Sequence, residues 1–242
     1  MPPRFFAPDL SGLNVLIELP VGEARHLTRV LRLVAGDQVS VFNGRGTEYL
    51  AQVEQVGTEG VTVRPYQNVV PVKEPEVALT VAAALLKGRT FDSIVRDVTM
   101  VGVVAVQPLF TDRTEPRGGD VERWTRIAVA SAKQCRRAVI PEVRTPQAFD
   151  SFLDDDRSTL RLVLVEPKDS HRRLSTLQAL ESKSPPSSAT LTIGPEGGWS
   201  DDEIDAAKKA GFVPITFGRL TLRADAVVIS AVSVLRYIWR DL

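Results

Sequence analysis

Residues 192–204 read "TIGPEGGWSDDEI". Between Gly194 and Gly198 stand three glycines, a proline and a glutamate. The apolar run "ATLTI" (189–193) leads in, and a helix start leads out. Glycine is costly to fix, so such a cluster between two regular elements usually serves the backbone geometry of a site, whereas a plain tight turn needs only one or two turn residues. Ser200 with Glu203 three residues later forms a capping box, and Asp201 and Asp202 add the negative charge that a helix N-terminus favours. Strand, glycine loop and capped helix put the loop at the carboxyl end of a strand, where ligands gather in open α/β sheets. The ligand expected there carries no phosphate. Neither G-x-x-x-x-G-K-[ST] nor G-x-G-x-x-G is present, and Glu196 inside the loop repels a pyrophosphate. A second loop of the same kind, "FGRLTLRAD" (217–225), follows the next strand.

Working outward from this loop, strands and helices alternate over residues 73–242. "EVALTVAAALL" (76–86) suits a strand buried on both faces. "RTFDSIVRDVTMVG" (89–102) places Phe91, Ile94, Val95 and Val98 at helical spacing, and "VAVQPLF" (104–110) is a strand. "DVERWTRIAVASAKQCRRA" (120–138) puts Val121, Trp124, Ala128, Ser131 and Cys135 on one helical face. "LRLVLVEP" (160–167) predicts a strand, "HRRLSTLQALES" (171–182) a helix, "VPITFG" (213–218) a strand, and a long helix closes the chain. Such alternation argues for a mostly parallel α/β sheet.

The segment 1–72 differs. "NVLIEL", "QVSVFNG", "TEYLAQVEQV" and "GVTVRPYQNVV" are short, β-branched and separated by glycine-bearing turns, which suggests a small barrel or sandwich. One helix interrupts them at "GEARHLTRVLRLV" (22–34), with Leu27, Val30, Leu31 and Val34 expected on a single apolar face. Arg25, Arg29 and Arg32 fall on another face, as a solvated stripe or a phosphate-tracking patch. The proline-punctuated "VVPVKEPEV" (69–77) marks the boundary between domains 1–72 and 73–242.

Composition excludes several classes. Thirty basic residues balance thirty acidic ones, so any nucleic-acid site must come from local clustering. The single cysteine, Cys135, rules out an internal disulfide and a multi-cysteine metal site, and His26 and His171 lie far apart, so no metal is expected. The start lacks a signal-peptide core and no run has membrane-spanning length, which predicts a cytoplasmic protein with no membrane partner.

"LTIGPEGGWSDDEIDAAKKAGFVPITFG" followed by "LTLRADA" closely resembles the C-terminal signature of the RsmE family, SPOUT-superfamily methyltransferases that use S-adenosylmethionine to methylate N3 of a uridine in 16S ribosomal RNA. "RFF" (4–6), the stretch 26–53, the stretch 84–114 and "RWTRIAVASAKQCRRAVIPEV" (123–143) are similar to the family's other segments, in the same order. The resemblance implies a small PUA-like β-barrel that binds RNA, then a SPOUT domain: α/β, with its C-terminal segment threaded into a trefoil knot. It implies a homodimer, the 16S rRNA or small ribosomal subunit as partner, and S-adenosylmethionine as cofactor, held largely by backbone groups of three loops. Those loops correspond here to Leu164 and Val165, to Gly194, Pro195, Glu196, Gly197 and Gly198, and to Phe217, Gly218, Leu220, Leu222 and Arg223. Met100 stands where the family usually has glutamate, Asp225-Ala226 where it has glutamate-threonine, and Trp199 where it has phenylalanine.

N3 of uracil is protonated at neutral pH, so an enzyme must favour the anionic ring and align it. Arg223 is the candidate for stabilising charge on a uracil carbonyl, or else forms a structural ion pair with Asp225, itself the candidate base or orienter. Cys135 lies on an apolar helix face, which disfavours a covalent role. Lys87 and Arg89 flank Gly88 at a strand end, and Arg126, Lys133 and Arg137 lie along one helix. With the N-terminal arginines they form a candidate RNA track or plain surface. The final helix has a wide apolar face, fit for core or for a dimer. Competing functions are methylation of another base or of ribose 2′-oxygen, and RNA binding without catalysis on the same fold.

Overall fold

The computed structural model describes residues 2–58, 60–114, 119–167, 175–176, 180, 184–218 and 220–241. They form two compact units: Met1–Glu74 with Val129–Ile140, and Pro75–Ala128 with Pro141–Leu242. The division between 1–72 and 73–242 is therefore not colinear, because a later segment belongs with the first unit.

The first unit is a curled five-stranded sheet, β1 (Arg4–Phe6), β2 (Ile17–Glu18), β3 (Gln38–Phe42), β4 (Glu48–Gly57) and β5 (Gly60–Val69), in the order β1-β3-β4-β5-β2. Register shifts between Leu50 and Ala51 and between Val53 and Gln55 interrupt the long β4–β5 ladder, as bulges that bend a sheet do. Phe5, Leu27, Val39, Val41, Val53 and Val63 fill its core. Arg4 holds the later segment in place. It pairs with Glu48 at 2.8 Å and donates to the carbonyls of Ala132, Lys133 and Arg137 at 3.1 Å. Ala132 and Lys133 lie in the last turn of α3 (Val121–Cys135), whose carbonyls lack partners inside the helix.

The helix expected over 22–34 is shorter and irregular. It comprises α1 (Val21–Arg25) and a wide π-type turn (His26–Val30). Leu31 N–H bonds His26 C=O and Leu33 N–H bonds Leu27 C=O, both at 3.1 Å, so the 3.6-residue register slips after Leu27. The predicted apolar face is accordingly wrong. Leu27 is buried, whereas Val30, Leu31 and Val34 are exposed.

Among the described residues the second unit carries eight strands, every pairing parallel: β6 (Ala78–Ala84), β7 (Ala105–Phe110), β8 (Glu142–Val143), β9 (Gln147–Ala148), β10 (Leu160–Leu164), β11 (Ser175–Thr176), β12 (Ser188–Ile193) and β13 (Val213–Thr216). The order is β11-β13-β10-β12-β6-β7-β8, with β9 also on β7. α2 (Thr90–Met100) buries Phe91, Ile94, Val95 and Val98 as expected. α4 (Phe149–Asp155), which sequence reading passed over, buries Phe149, Phe152 and Leu153. The helix predicted over 171–182 falls mostly outside the described residues; of its described part, Ser175–Thr176 is strand, and Leu180 is buried in a 3-10 turn. α5 (Asp201–Lys209) follows the glycine loop, and α6 (Ala224–Ile238) closes the chain. Val228, Val232, Leu235 and Trp239 of the closing segment are buried. The adjacent stripe is covered less: Ala231 is buried but Val227, Val234 and Ile238 only half so. α6 ends on a buried ion pair, Arg236 to Asp241 at 2.7 Å. Arg236 also donates to the carbonyls of Val77 and Gly102, and Asp241 accepts the N–H groups of Glu76 and Val77.

Candidate active site

β13, β10, β12, β6 and β7 are neighbours in that order and run parallel, so their carboxyl ends share one edge of the sheet. At this edge a cleft of about 450 Å³ receives a piece of chain from each strand. Residues 164–167 come from β10, 193–199 from β12, Phe217 and 220–225 with Val227 from β13, Thr90 from the connection after β6, and Arg113 from that after β7.

Leu164, Val165, Gly194, Pro195, Glu196, Gly197, Gly198, Phe217, Leu220, Leu222, Arg223 and Asp225 all line the cleft. Gly218 is not among its lining residues; it is an exposed turn glycine at φ +71° with nothing within 4 Å of a Cβ position. Met100 does not line the cleft either, so the departure there lies outside it.

The glycine loop is braced by side chains the sequence reading had not assigned. Trp199 donates its indole N–H to Leu164 C=O at 2.8 Å, tying the β12 loop to the end of β10, a bond no phenyl ring can make. The indole packs on Phe149, ring centroids 4.6 Å apart. A Cβ on Gly194 would lie 3.0 Å from that indole, and a Cβ on Gly197 would lie 3.3 Å from Arg113 Cδ. Gly198 is needed for its backbone, at φ +70°, where its N–H closes a turn onto Pro195 C=O at 2.9 Å. The sequence predicts that these glycines serve the backbone geometry of a site. At two of the three, the space is occupied by the protein's own side chains.

The predicted capping box is present. Ser200 Oγ accepts from Glu203 N–H at 3.2 Å, and Glu203 accepts from Ser200 N–H at 2.8 Å. It does more than cap α5. Glu203, 6% exposed, also accepts from Asp112 N–H at 2.9 Å, and Ser200 Oγ donates to Asp112 at 2.6 Å. The turn Thr111–Thr114, closed by Thr114 N–H on Thr111 C=O, thus docks on the head of α5 and delivers Arg113 to the loop, where its Nη1 donates to Gly197 C=O.

Charge in the cleft comes from Glu166, Glu196 and Asp225 against Arg113 and Arg223. Arg223, the N-cap residue of α6, lies 3.3 Å from Asp225 with its side chain 80% exposed. Among the described residues the cleft is net negative and lined by no lysine, which suits a cation-bearing ligand. Arg113 and Glu166 were missed because no local motif marks them. The rule that every loop after a parallel strand opens on the ligand edge would have found both.

Of the remaining candidates, Arg25, Arg29 and Arg32 are exposed, although the wide turn breaks their straight stripe. Lys87 and Arg89 are exposed just before Thr90, and Arg126 is exposed on α3. Lys133 and Arg137 are corrected. Lys133 pairs with Glu23 at 2.6 Å over the Phe5 ring, and Arg137, 5% exposed, pairs with Glu74 at 2.6 Å. Both hold the first unit together and are not presented to a phosphate. Among the described residues no group of His, Cys, Asp or Glu is arranged to hold a metal, and no helix is long and apolar enough to cross a membrane.

Comparison with known proteins supplies the context. Residues 73–236 match the family described as RNA methyltransferase domain, and residues 19–66 match the RNA methyltransferase PUA domain. The Synechocystis protein named Ribosomal RNA small subunit methyltransferase E is 35% identical over 217 residues, covering 88% of this chain and 70% of that one. Its namesake in Aquifex aeolicus is 27% identical, covering 96% and 97%. A Legionella pneumophila protein solved in complex with the bound cofactor SAM is 30% identical and superposes with a TM-score of 0.89 over 98% of each chain.

Proposed function

The chain belongs to the RNA methyltransferase family that includes the proteins named Ribosomal RNA small subunit methyltransferase E, and we propose that it methylates N3 of a specific uridine in the 16S rRNA of the small ribosomal subunit, using S-adenosylmethionine. The observation that carries this reading is the cleft itself, where the Gly-Pro-Glu-Gly-Gly loop meets the ends of β10 and β13 in a family of RNA methyltransferases.

The residues present fit that cofactor. The cleft is wide enough for it, offers loop backbone from 164–165, 194–198, 217 and 220–223, and carries Glu166 and Glu196 toward a cationic ligand. When bound, S-adenosylmethionine supplies an electrophilic methyl group on a sulfonium. The protein's own task is the acceptor. Arg223 stands at the N-terminus of α6, whose dipole adds positive potential. In this reading its guanidinium holds a uracil carbonyl oxygen as the ring gives up its N3 proton, and Asp225 at 3.3 Å fixes that fork in place. Arg25, Arg29 and Arg32 with Lys87, Arg89 and Arg126 supply phosphate contacts that position the folded RNA, the first unit acting as a PUA-like RNA-binding domain. The half-buried stripe of Val227, Val234 and Ile238 supports a homodimer. β13 lies outside β10 while α6 after it contacts α2 and β12, a return path that suits a trefoil knot. A cytoplasmic location follows from the rRNA substrate.

Nucleoside mass spectrometry tests the reading. Unmodified small subunits or their rRNA, incubated with the protein and S-adenosylmethionine, should yield N3-methyluridine. A 2′-O-methylated nucleoside would replace it with ribose chemistry, and no product despite cofactor binding would leave an RNA-binding protein without catalysis.

A further inference from the structure

Among the described residues two guanidinium groups line the cleft, and they differ in circumstance. Arg223 has a carboxylate, Asp225, at 3.3 Å. Arg113 has no carboxylate within ion-pair distance among the described residues, and its charge-bearing fork has one recorded bond, from Nη1 to Gly197 C=O. Its stem fills the space beside Gly197, 3.3 Å from where a Cβ would stand, and Nη1 lies 3.8 Å from the Cβ position of Gly198. The turn that presents it is fixed at its base, through Asp112 to Glu203 and Ser200 on α5. Arg113 is therefore held at its base and at Nη1 although the residue is exposed, and it lines a cleft in which Arg223, the other described cation, is paired.

We propose that Arg113 acts on both reactants: one nitrogen locks the carbonyl of the cofactor loop, and the charge of the same guanidinium, with Glu166 near it but no carboxylate within ion-pair distance among the described residues, stabilises the anionic form of the acceptor base. A hydrogen bond from a cation to a loop carbonyl fixes the backbone that would grip the cofactor, and a positive charge beside a ring nitrogen lowers the cost of removing its proton, an effect that solvent screens but does not abolish at a residue as exposed as Arg113. The acceptor half of this assignment rests on the proposed uridine methylation. The cofactor half does not.

Arg113→Ala and Arg113→Lys separate the two halves, with calorimetry for S-adenosylmethionine and its demethylated product, and single-turnover methylation of small-subunit rRNA at saturating cofactor across pH. Arg113→Ala should weaken both cofactor forms by about tenfold or more, since both use the same loop. It should slow the saturated single turnover by about 10²-fold and move the rise of rate with pH toward the alkaline side. Arg113→Lys keeps the charge and nearly the reach, so it should restore the pH profile and most of the rate. A brace without a charge role would weaken cofactor binding yet leave the saturated rate and its pH profile unmoved, which overturns the acceptor half. Wild-type cofactor affinity in Arg113→Ala overturns the other half. Wild-type protein that methylates no uridine N3 ends the proposed function instead, and leaves the calorimetric arm standing.

Discussion

Gly194→Ala is the sharpest probe of how the cleft is built. The backbone at Gly194 lies outside the left-handed region, so alanine is not refused by conformation. The added methyl would lie 3.0 Å from two atoms of the Trp199 indole and 3.2 Å from a third. Ordinary contact needs several tenths of an ångström more. The indole cannot simply tilt, because its N–H is bonded to Leu164 C=O at 2.8 Å and its face lies on Phe149. Overpacking of this kind costs about 1–3 kcal/mol. Alanine's smaller unfolded-state entropy returns roughly 0.4–1 kcal/mol, leaving a net loss of about 0–2.6 kcal/mol, about 1.3 kcal/mol at mid-range. In a chain of this length, the mid-range loss lowers the melting temperature by about 3–5 °C. Scanning calorimetry measures the shift, and a double-mutant cycle locates its cause. Trp199→Phe removes the ring that the methyl strikes, so the double variant should be less destabilised than the sum of the singles by about 0.5 kcal/mol or more. Additive losses would refute the claim that this glycine makes room for the indole.

Three further outcomes are expected. Arg223→Ala should lower the single-turnover methylation rate by about 10²–10³-fold, while unfolding free energy changes by no more than about 1 kcal/mol because its ion pair is exposed; a heat-labile variant of normal rate would make Arg223 structural. Asp241→Ala removes the carboxylate partner of the fully buried Arg236 and should cost about 3–5 kcal/mol by denaturant titration, whereas a loss under about 1 kcal/mol would show that its backbone carbonyl partners, Val77, Val101 and Gly102 among them, suffice for the guanidinium. Replacing Arg25, Arg29 and Arg32 together by alanine should flatten the salt dependence of RNA binding in a filter or fluorescence assay, and Arg137→Met should leave that slope alone while lowering stability.

What was legible in the sequence depended on how local its cause was. The strands expected at 76–86, 104–110, 160–167, 189–193 and 213–218 and the helices expected at 89–102 and 120–138 follow a local period, and so does the capping box, so these appear in the structure where expected, with the helix over 171–182 the exception. The helix at 22–34 failed because one wide turn, invisible to a 3.6-residue template, rotates everything after Leu27. Lys133 and Arg137 looked like free cations because their partners, Glu23 and Glu74, lie far away along the chain. The spacing of Phe149, Phe152 and Leu153 was in plain sight, and only the lack of a neighbouring motif let α4 pass. Within the cleft, the two glycine-bearing loops announced themselves. Arg113 did not, since its importance exists only once the strand order brings the end of β7 to the same edge as the end of β12.

The allegiance of residues 129–140 to the first unit bears on how this chain is made. A nascent chain that has just delivered Glu74 has all five strands of that sheet but lacks the carbonyls that Arg4 binds. At ordinary translation speed the missing segment arrives on the order of several seconds later. Until then Arg4 and Glu48 hold each other without the end of the helix they bracket, and Glu74 waits for Arg137. The amino-terminal unit is therefore finished by sequence that is synthesised after the first two strands of the second sheet, and folding order cannot follow gene order. A gene cut at the proline-rich boundary yields two fragments, each deprived of something the other encodes.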